Sequence, residues 1–170
     1  IMADYKKTSV SEIRDYLWNE IKDAGILNRD DYLADGFIIP LNPIIPAQEI
    51  PEFNNLIPGK TYIVYDYEIN SYEPDFWMCD ENLILSIVCP DYNKSVEILN
   101  FLLDLFRRMD LTAKDMNLQL SSSSPFKFHY FYINNMQSPA PFEQEGGNQV
   151  SLIDISYKYS RLIGSDGRFL

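Results

Sequence analysis

Apolar and polar residues alternate along four segments of the chain, with two helical patterns among them. The alternating segments are Thr61–Ile69, Phe76–Cys89, Phe126–Ile133 and Val150–Arg161. A period of two places successive side chains on opposite faces of a sheet, so each segment predicts a strand. The first two are joined by the turn-forming residues 70–75, which predicts a long antiparallel hairpin.

The helical patterns lie before the hairpin and directly after it. Ser9-Val10-Ser11-Glu12 is a capping box, and Gly25 stands where a helix is expected to end in a left-handed cap. A second helix is predicted over Lys94–Met109. Its apolar stripe is Tyr92, Val96, Leu99, Leu103 and Phe106, widened by Leu102 and Met109.

The order of elements is α-β-β-α-β-β, which predicts an α+β fold. We expect a four-stranded antiparallel sheet with a long hairpin, flanked by two main helices. The chain has 170 residues, of which 46% are hydrophobic. This length and composition fit one domain over residues 1–170 with a real core.

A proline-rich arm at about residues 37–58 interrupts this order. Five prolines fall within 19 residues of it, among seven large apolar residues. Proline excludes a continuous helix or a central strand. The arm is expected either to lie on its own domain or to pack on a neighbouring subunit. Candidate subunit-interface residues, from the arm and from the loop 134–149, are Ile44, Ile45, Ile50, Phe53, Pro141 and Phe142.

Charge is distributed unevenly. The net charge is −11, and residues 1–90 carry 16 acidic and 6 basic residues. The densest cluster has no Lys or Arg inside it and consists of Asp66, Glu68, Glu73, Asp75, Asp80 and Glu81. An acidic surface repels phosphate backbones, which argues against tight nucleic-acid binding. The cluster is interpreted either as a solvated hairpin tip or as a surface that faces an anion without holding it.

No set of residues predicts catalysis. His129 lies in the middle of a strand pattern, and neither Cys79 nor Cys89 follows a glycine-rich nucleophile turn. These three residues lack metal-ligand spacing, so we predict no metal, no cofactor and no enzyme activity. Both cysteines are expected to be buried, reduced thiols. The apolar runs are shorter than the roughly 18–20 residues that a membrane span needs.

The succession of elements resembles the tail terminator, or tail completion, proteins of tailed bacteriophages. The resemblance covers most of the chain. It lies in the order of the elements and in their pattern of apolar and polar residues, and no signature motif carries it. The segments that carry it are Ser9–Gly25, the arm Ile44–Phe53, Thr61–Ile69, Leu83–Met109, Phe126–Ile133 and Val150–Arg161. The family has no catalytic residues to transfer.

The resemblance implies a structural virion protein. A hexameric ring would cap the head-proximal end of the tail tube and join it to the neck, with the tube or sheath protein and a connector as partners. Assembly would take place in the host cytoplasm. DNA would pass without specific binding, past a channel lined by the hairpin acids. Two alternatives stay open, another neck or head-completion adaptor and a small-ligand or peptide-binding module with Phe126–Tyr132 as its pocket.

Overall fold

The structure is a computed structural model that describes residues 5–32, 43–49, 57, 59–72, 78–141 and 147–170. In chain order its elements are α1 (Ser9–Asp23), a 3₁₀ turn (Arg29–Tyr32), β1 (Ile44–Pro46), a 3₁₀ turn (Ala47–Glu49), β2 (Tyr62–Tyr72), β3 (Met78–Cys89), α2 (Tyr92–Phe106), α3 (Asp110–Gln119), β4 (Phe126–Pro141) and β5 (Gln149–Arg161). The α+β class is confirmed.

The strands form one sheet in the order β1-β2-β3-β5-β4. β1 runs parallel to β2, whereas the other three pairs are antiparallel. The prediction of four antiparallel strands is therefore wrong in one respect, because the proline-rich arm supplies a fifth, parallel strand. Pro46 is tolerated there because β1 lies at the sheet edge. The Ile63 N–H donates to the Pro43 carbonyl at 2.9 Å and fixes where the pairing begins.

The first helix begins and ends through local hydrogen bonds. Thr8, rather than Ser9, is the N-cap, and its hydroxyl accepts from the Ser11 N–H at 3.2 Å. At the other end, Gly25 has φ +72°, and its N–H donates to the Lys22 carbonyl at 2.9 Å. The Ile26 N–H reaches Ile21 O at 3.2 Å, which completes a Schellman motif. The predicted helix end is confirmed.

All three helices cover the same face of the sheet. Ser95 on α2 contacts Ser151 on β5, and Ser9 on α1 contacts Tyr157 on β5, each at 3.1 Å. Ser151 and Tyr157 are an even number of residues apart, so their side chains lie on the same face of the strand. The Tyr16 hydroxyl on α1 donates to Asp115 on α3 at 2.7 Å. The buried core lies between these helices and the sheet.

The stripe predicted for the second helix is displaced around its axis. Leu99, Leu102 and Phe106 are buried as expected, but Leu103 is 36% exposed, and Tyr92 and Met109 are exposed as well. Ser95, Ile98 and Leu105 complete the buried face instead. A polar residue, Ser95, occupies part of that face, and this hides its true direction from a pattern of apolar residues alone.

The region after α2 is more regular than its sequence indicates. The second helix ends at Phe106, and Met109, at φ 49°, is the N-cap of a third helix. The Thr112 hydroxyl holds this corner by donating to the Leu105 carbonyl. β4 runs on to Pro141 through residues predicted to be a flexible connection. Two prolines fit there because β4 is an edge strand.

Candidate functional site

The face of the sheet opposite the helices is called the open face here. The residues on the open face follow from the pairing of the strands. Asp66 is opposite Ile84, which is opposite Asp154. Asn82 likewise lies between Glu68 and Ser156. On β2, β3 and β5 the open face consists of Val64, Asp66, Glu68, Asp80, Asn82, Ile84, Ser86, Leu152, Asp154, Ser156 and Lys158. Within the described part of the chain, no helix packs on it.

Hydrogen bonds run across the open face from strand to strand. The Asn134 amide donates to Ser156 Oγ, and that hydroxyl donates to Asn82 Oδ1, both at 2.6 Å. Lys158 Nζ lies 3.8 Å from Asp80 Oδ2. The face is therefore polar and internally ordered. It carries the carboxylates of Asp66, Glu68, Asp80 and Asp154 and the ammonium groups of Lys158 and, on β4, Lys127.

Three of the predicted acids, Asp66, Glu68 and Asp80, lie together on the open face. Glu73 and Asp75 lie outside the described residues. Glu81 was predicted to share the solvated surface, and this is wrong, because it is 4% exposed on the helical face. Its position on β3 has the same parity as Leu83, Leu85 and Ile87, which are buried.

Glu81 accepts three hydroxyl hydrogen bonds in the core. Ser9 Oγ donates to its Oε2 at 2.7 Å, and the Tyr157 hydroxyl donates to the same oxygen. The Tyr159 hydroxyl donates to Oε1 at 2.6 Å. Burial, together with the Glu81 carboxylate, raises the pKa of Tyr157 and of Tyr159 well above the usual range. These phenols remain protonated and keep donating.

The Ser9–Glu81 pair has the chemistry of a nucleophile beside a base, but its burial argues against catalysis. Ser9 is 2% exposed, which leaves its hydroxyl no surface on which a substrate could approach. The residues instead link three elements, since Ser9 begins α1, Glu81 lies on β3, and Tyr157 and Tyr159 lie on β5. The cluster fixes the start of the first helix on the sheet.

The interface candidates are distributed differently from the prediction. Ile44 and Ile45 form β1 and are buried within their own chain, so the structure contradicts their assignment to a subunit contact. The reason is that an apolar pair between prolines can fill the sheet edge of its own domain. Pro141 is exposed at the end of β4. Ile50, Phe53 and Phe142 lie outside the described residues.

The aromatic strand does not form the predicted pocket. Phe126 and Phe128 are buried in the core, and so is Phe131, because a bulge between Phe128 and Tyr130 reverses the parity of the strand. Tyr130 and Tyr132 stack at 5.7 Å, and Tyr132 is exposed. The bulge thus divides the aromatic residues between the two faces.

The remaining candidate groups are His129 and the two cysteines. His129 lies 3.0 Å from Ser160 Oγ, and burial, with Lys127 and Lys158 nearby, lowers its pKa. Cys79 and Cys89 are both buried and free of disulfides. No three His, Cys, Asp or Glu side chains in the described ranges converge on a point where a metal ion could bind.

A groove of about 700 Å³ opens beside the hairpin, between the start of α1 and the outer edge of β2. Its apolar wall includes Val10, Pro46, Tyr65, Tyr67 and Ile69, and Glu68 lies at its rim. Ile69 is 62% and Tyr67 41% exposed, although both have the parity of the buried face. No sequence pattern predicted this groove, because it forms where the hairpin extends beyond the first helix.

No protein-family model matches the chain, and no curated protein matches its sequence. None of the helices in the described ranges combines the length and the apolar run that a membrane crossing requires.

Proposed function

We propose that this protein is a structural component of a bacteriophage virion, a ring that caps the head-proximal end of the tail tube and joins it to the neck. The observation that carries the proposal is the open face. It carries four carboxylates against the two ammonium groups of Lys127 and Lys158, on the side of the sheet that no described α-helix covers. The order of helices and hairpins that suggests the family supports it as well.

In such a ring the open faces line the lumen and the helical layers lie outside. Carboxylates repel the DNA backbone, so DNA passes without being held. The repulsion between acids of neighbouring subunits is tolerable because a water-filled lumen screens charges over about 8 Å at physiological salt. The hydrogen bonds from Asn134 to Ser156 and from Ser156 to Asn82 tie β4, β5 and β3 together along this wall.

The mass of the purified protein tests the ring directly. Light scattering on a sizing column should give six times the 19.8 kDa chain mass, and negative-stain images should show rings or capped tube ends. A 19.8 kDa species that stays monomeric when purified tail tubes are added would overturn the proposal. Rings that bind connectors but not tube ends would favour the neck-adaptor alternative.

A further inference from the structure

The outer edge of β2 is only partly paired. β1 covers it from Ile63 to Tyr65, and no described strand continues beyond that point. The Ile63 N–H points toward β1, so strand alternation directs the backbone groups of Tyr67 and Ile69 the same way. The Tyr67 N–H is occupied by Asp66 Oδ1 at 2.9 Å. In the part of the chain that the structure describes, no strand on this outer side of β2 pairs with the Tyr67 carbonyl or with the backbone of Ile69.

The side chains beside this edge repeat with the period of a strand. Tyr67 and Ile69 form the exposed apolar wall of the groove, whereas Tyr65 and Val10, which also line it, are buried. An extended segment added to the edge places every second side chain against this wall. The remaining side chains of the segment then point toward Glu68 and Asp66 on the open face.

Charge decides which segment fits. Glu68 and the neighbouring Asp66 are exposed, and the described lining of the groove contains no Lys or Arg. A second copy offers an acidic surface, because residues 1–90 carry 16 acidic and 6 basic residues, and it would meet these carboxylates with like charge.

We propose that the groove and the free edge of β2 bind an extended segment of a partner protein in which apolar residues alternate with Lys or Arg. The segment adds one strand to the sheet, its apolar side chains lie against Tyr67 and Ile69, and its cations pair with Glu68. This docking surface lies along the outer edge of β2, and the proposal does not depend on ring formation.

A fluorescein-labelled eight-residue peptide in which Val alternates with Lys serves as the probe, with fluorescence anisotropy as the readout. The peptide with Glu in place of Lys should bind at least about tenfold more weakly, because its charges oppose Glu68. A Lys peptide N-methylated at the residues that face the edge should lose about as much, because it cannot complete the strand ladder.

Protein variants locate the site. Glu68→Lys and Ile69→Ser should each weaken the Lys peptide about tenfold. The matched controls are Glu97→Lys on α2 and Leu118→Ser on α3, exposed positions on the helical side that should bind as wild type does. The mass measured by light scattering should be the same for all four variants, which separates this proposal from the ring.

Three results would overturn the proposal. The first is no binding of the Lys peptide up to about millimolar concentration. The second is equal binding of the Lys and Glu peptides, or binding that neither Glu68→Lys nor Ile69→Ser affects. The third is self-association of the protein that Ile69→Ser abolishes, which would make a second copy the occupant.

Discussion

The side-chain amide of Asn117 pairs with the backbone of Phe128 as a neighbouring strand would. Its Nδ2 donates to the Phe128 carbonyl at 2.7 Å, and its Oδ1 accepts from the Phe128 N–H at 2.8 Å. β4 lies at the edge of the sheet, so without this pairing both backbone groups would need water. One residue of α3 thus closes the edge of β4 at this point.

Replacing Asn117 by Ala should destabilise the protein by about 1–3 kcal/mol, because two half-buried backbone groups lose their partners. Urea unfolding measures the change. Asn100→Ala, at an exposed position on α2, is the matched control and should stay within about 0.5 kcal/mol of wild type. Equal stability of the two variants would mean that water replaces the amide at no cost.

Replacing Glu81 by Ala should cost about 3 kcal/mol or more, since three buried hydroxyl groups lose a charged acceptor. Glu81→Gln keeps the shape and one acceptor oxygen, and we expect an intermediate loss. Asp80→Ala, one position away on the open face, removes a partly exposed carboxylate that lies 3.8 Å from Lys158 Nζ, and it should cost less than about 1 kcal/mol. Thermal and urea unfolding rank the three. Equal losses for Glu81→Ala and Asp80→Ala would contradict the buried cluster.

Alkaline pH should destabilise the fold. The pKa of Tyr157 and of Tyr159 is raised in the folded chain by burial and by Glu81. Above about pH 10 the unfolded chain therefore releases phenolic protons that the folded chain keeps. The free energy of unfolding then falls by up to about 1.4 kcal/mol per pH unit for each such tyrosine.

Urea unfolding between pH 8 and pH 11 measures this slope. Tyr159→Phe should make the slope shallower at high pH, although it lowers stability at neutral pH by removing one bond to Glu81. Tyr92→Phe, at a position that is 56% exposed, should leave the slope unchanged. A slope that Tyr159→Phe does not alter would assign the alkaline transition to other groups.

Two adjacent leucines on α2 should respond oppositely to a charge. Leu102 is 0% exposed and Leu103 36% exposed. Leu102→Asp buries an unpaired carboxylate at a cost of several kcal/mol and should unfold the domain. Leu103→Asp should leave it folded. Circular dichroism and a melting curve decide, and an unfolded Leu103→Asp variant would restore the stripe predicted from sequence.

The lumen assignment predicts how the ring treats DNA. Glu68→Lys with Asp154→Lys reverses two charges on the open face, and Glu97→Lys with Asp104→Lys makes the same change on α2. Rings with the first pair should retain linear DNA, with a steep salt dependence, but not closed circular DNA, which cannot enter a lumen. The second pair should bind both forms alike. If rings with Glu68→Lys and Asp154→Lys also retained circular DNA, the open face would lie on the outer surface of the ring.

The sequence predicted correctly those elements whose contacts are between residues close in sequence. The Gly25 cap and the antiparallel pairing of β2 with β3 follow from residues close in sequence, and both formed as expected, whereas β4 continues past its predicted end at Ile133 to Pro141. The sequence also indicates on which face of the sheet Glu81 lies, because Glu81 alternates along the strand with Leu83 and Leu85. Its charge led to the wrong interpretation, because the hydroxyl groups that satisfy it are up to 78 residues away.

Other features depend on partners that a single segment does not reveal. β1 exists because β2 offers an edge to it, and nothing within Ile44–Pro46 specifies that edge. The bulge after Phe128 reverses the faces of the aromatic strand, and the groove beside Ile69 depends on where α1 begins relative to the hairpin. These are consequences of packing between distant elements, to which periodicity is insensitive.

Strand order also governs how the chain can fold. The β2–β3 and β4–β5 pairs are hairpins of neighbouring strands, whereas the seam between β3 and β5 brings Cys89 beside Gln149 across two helices. Closing so long a loop costs chain entropy before any contact at the seam is gained. The two hairpins need only short loops to close, so we expect docking along this central seam to be the slow step of folding.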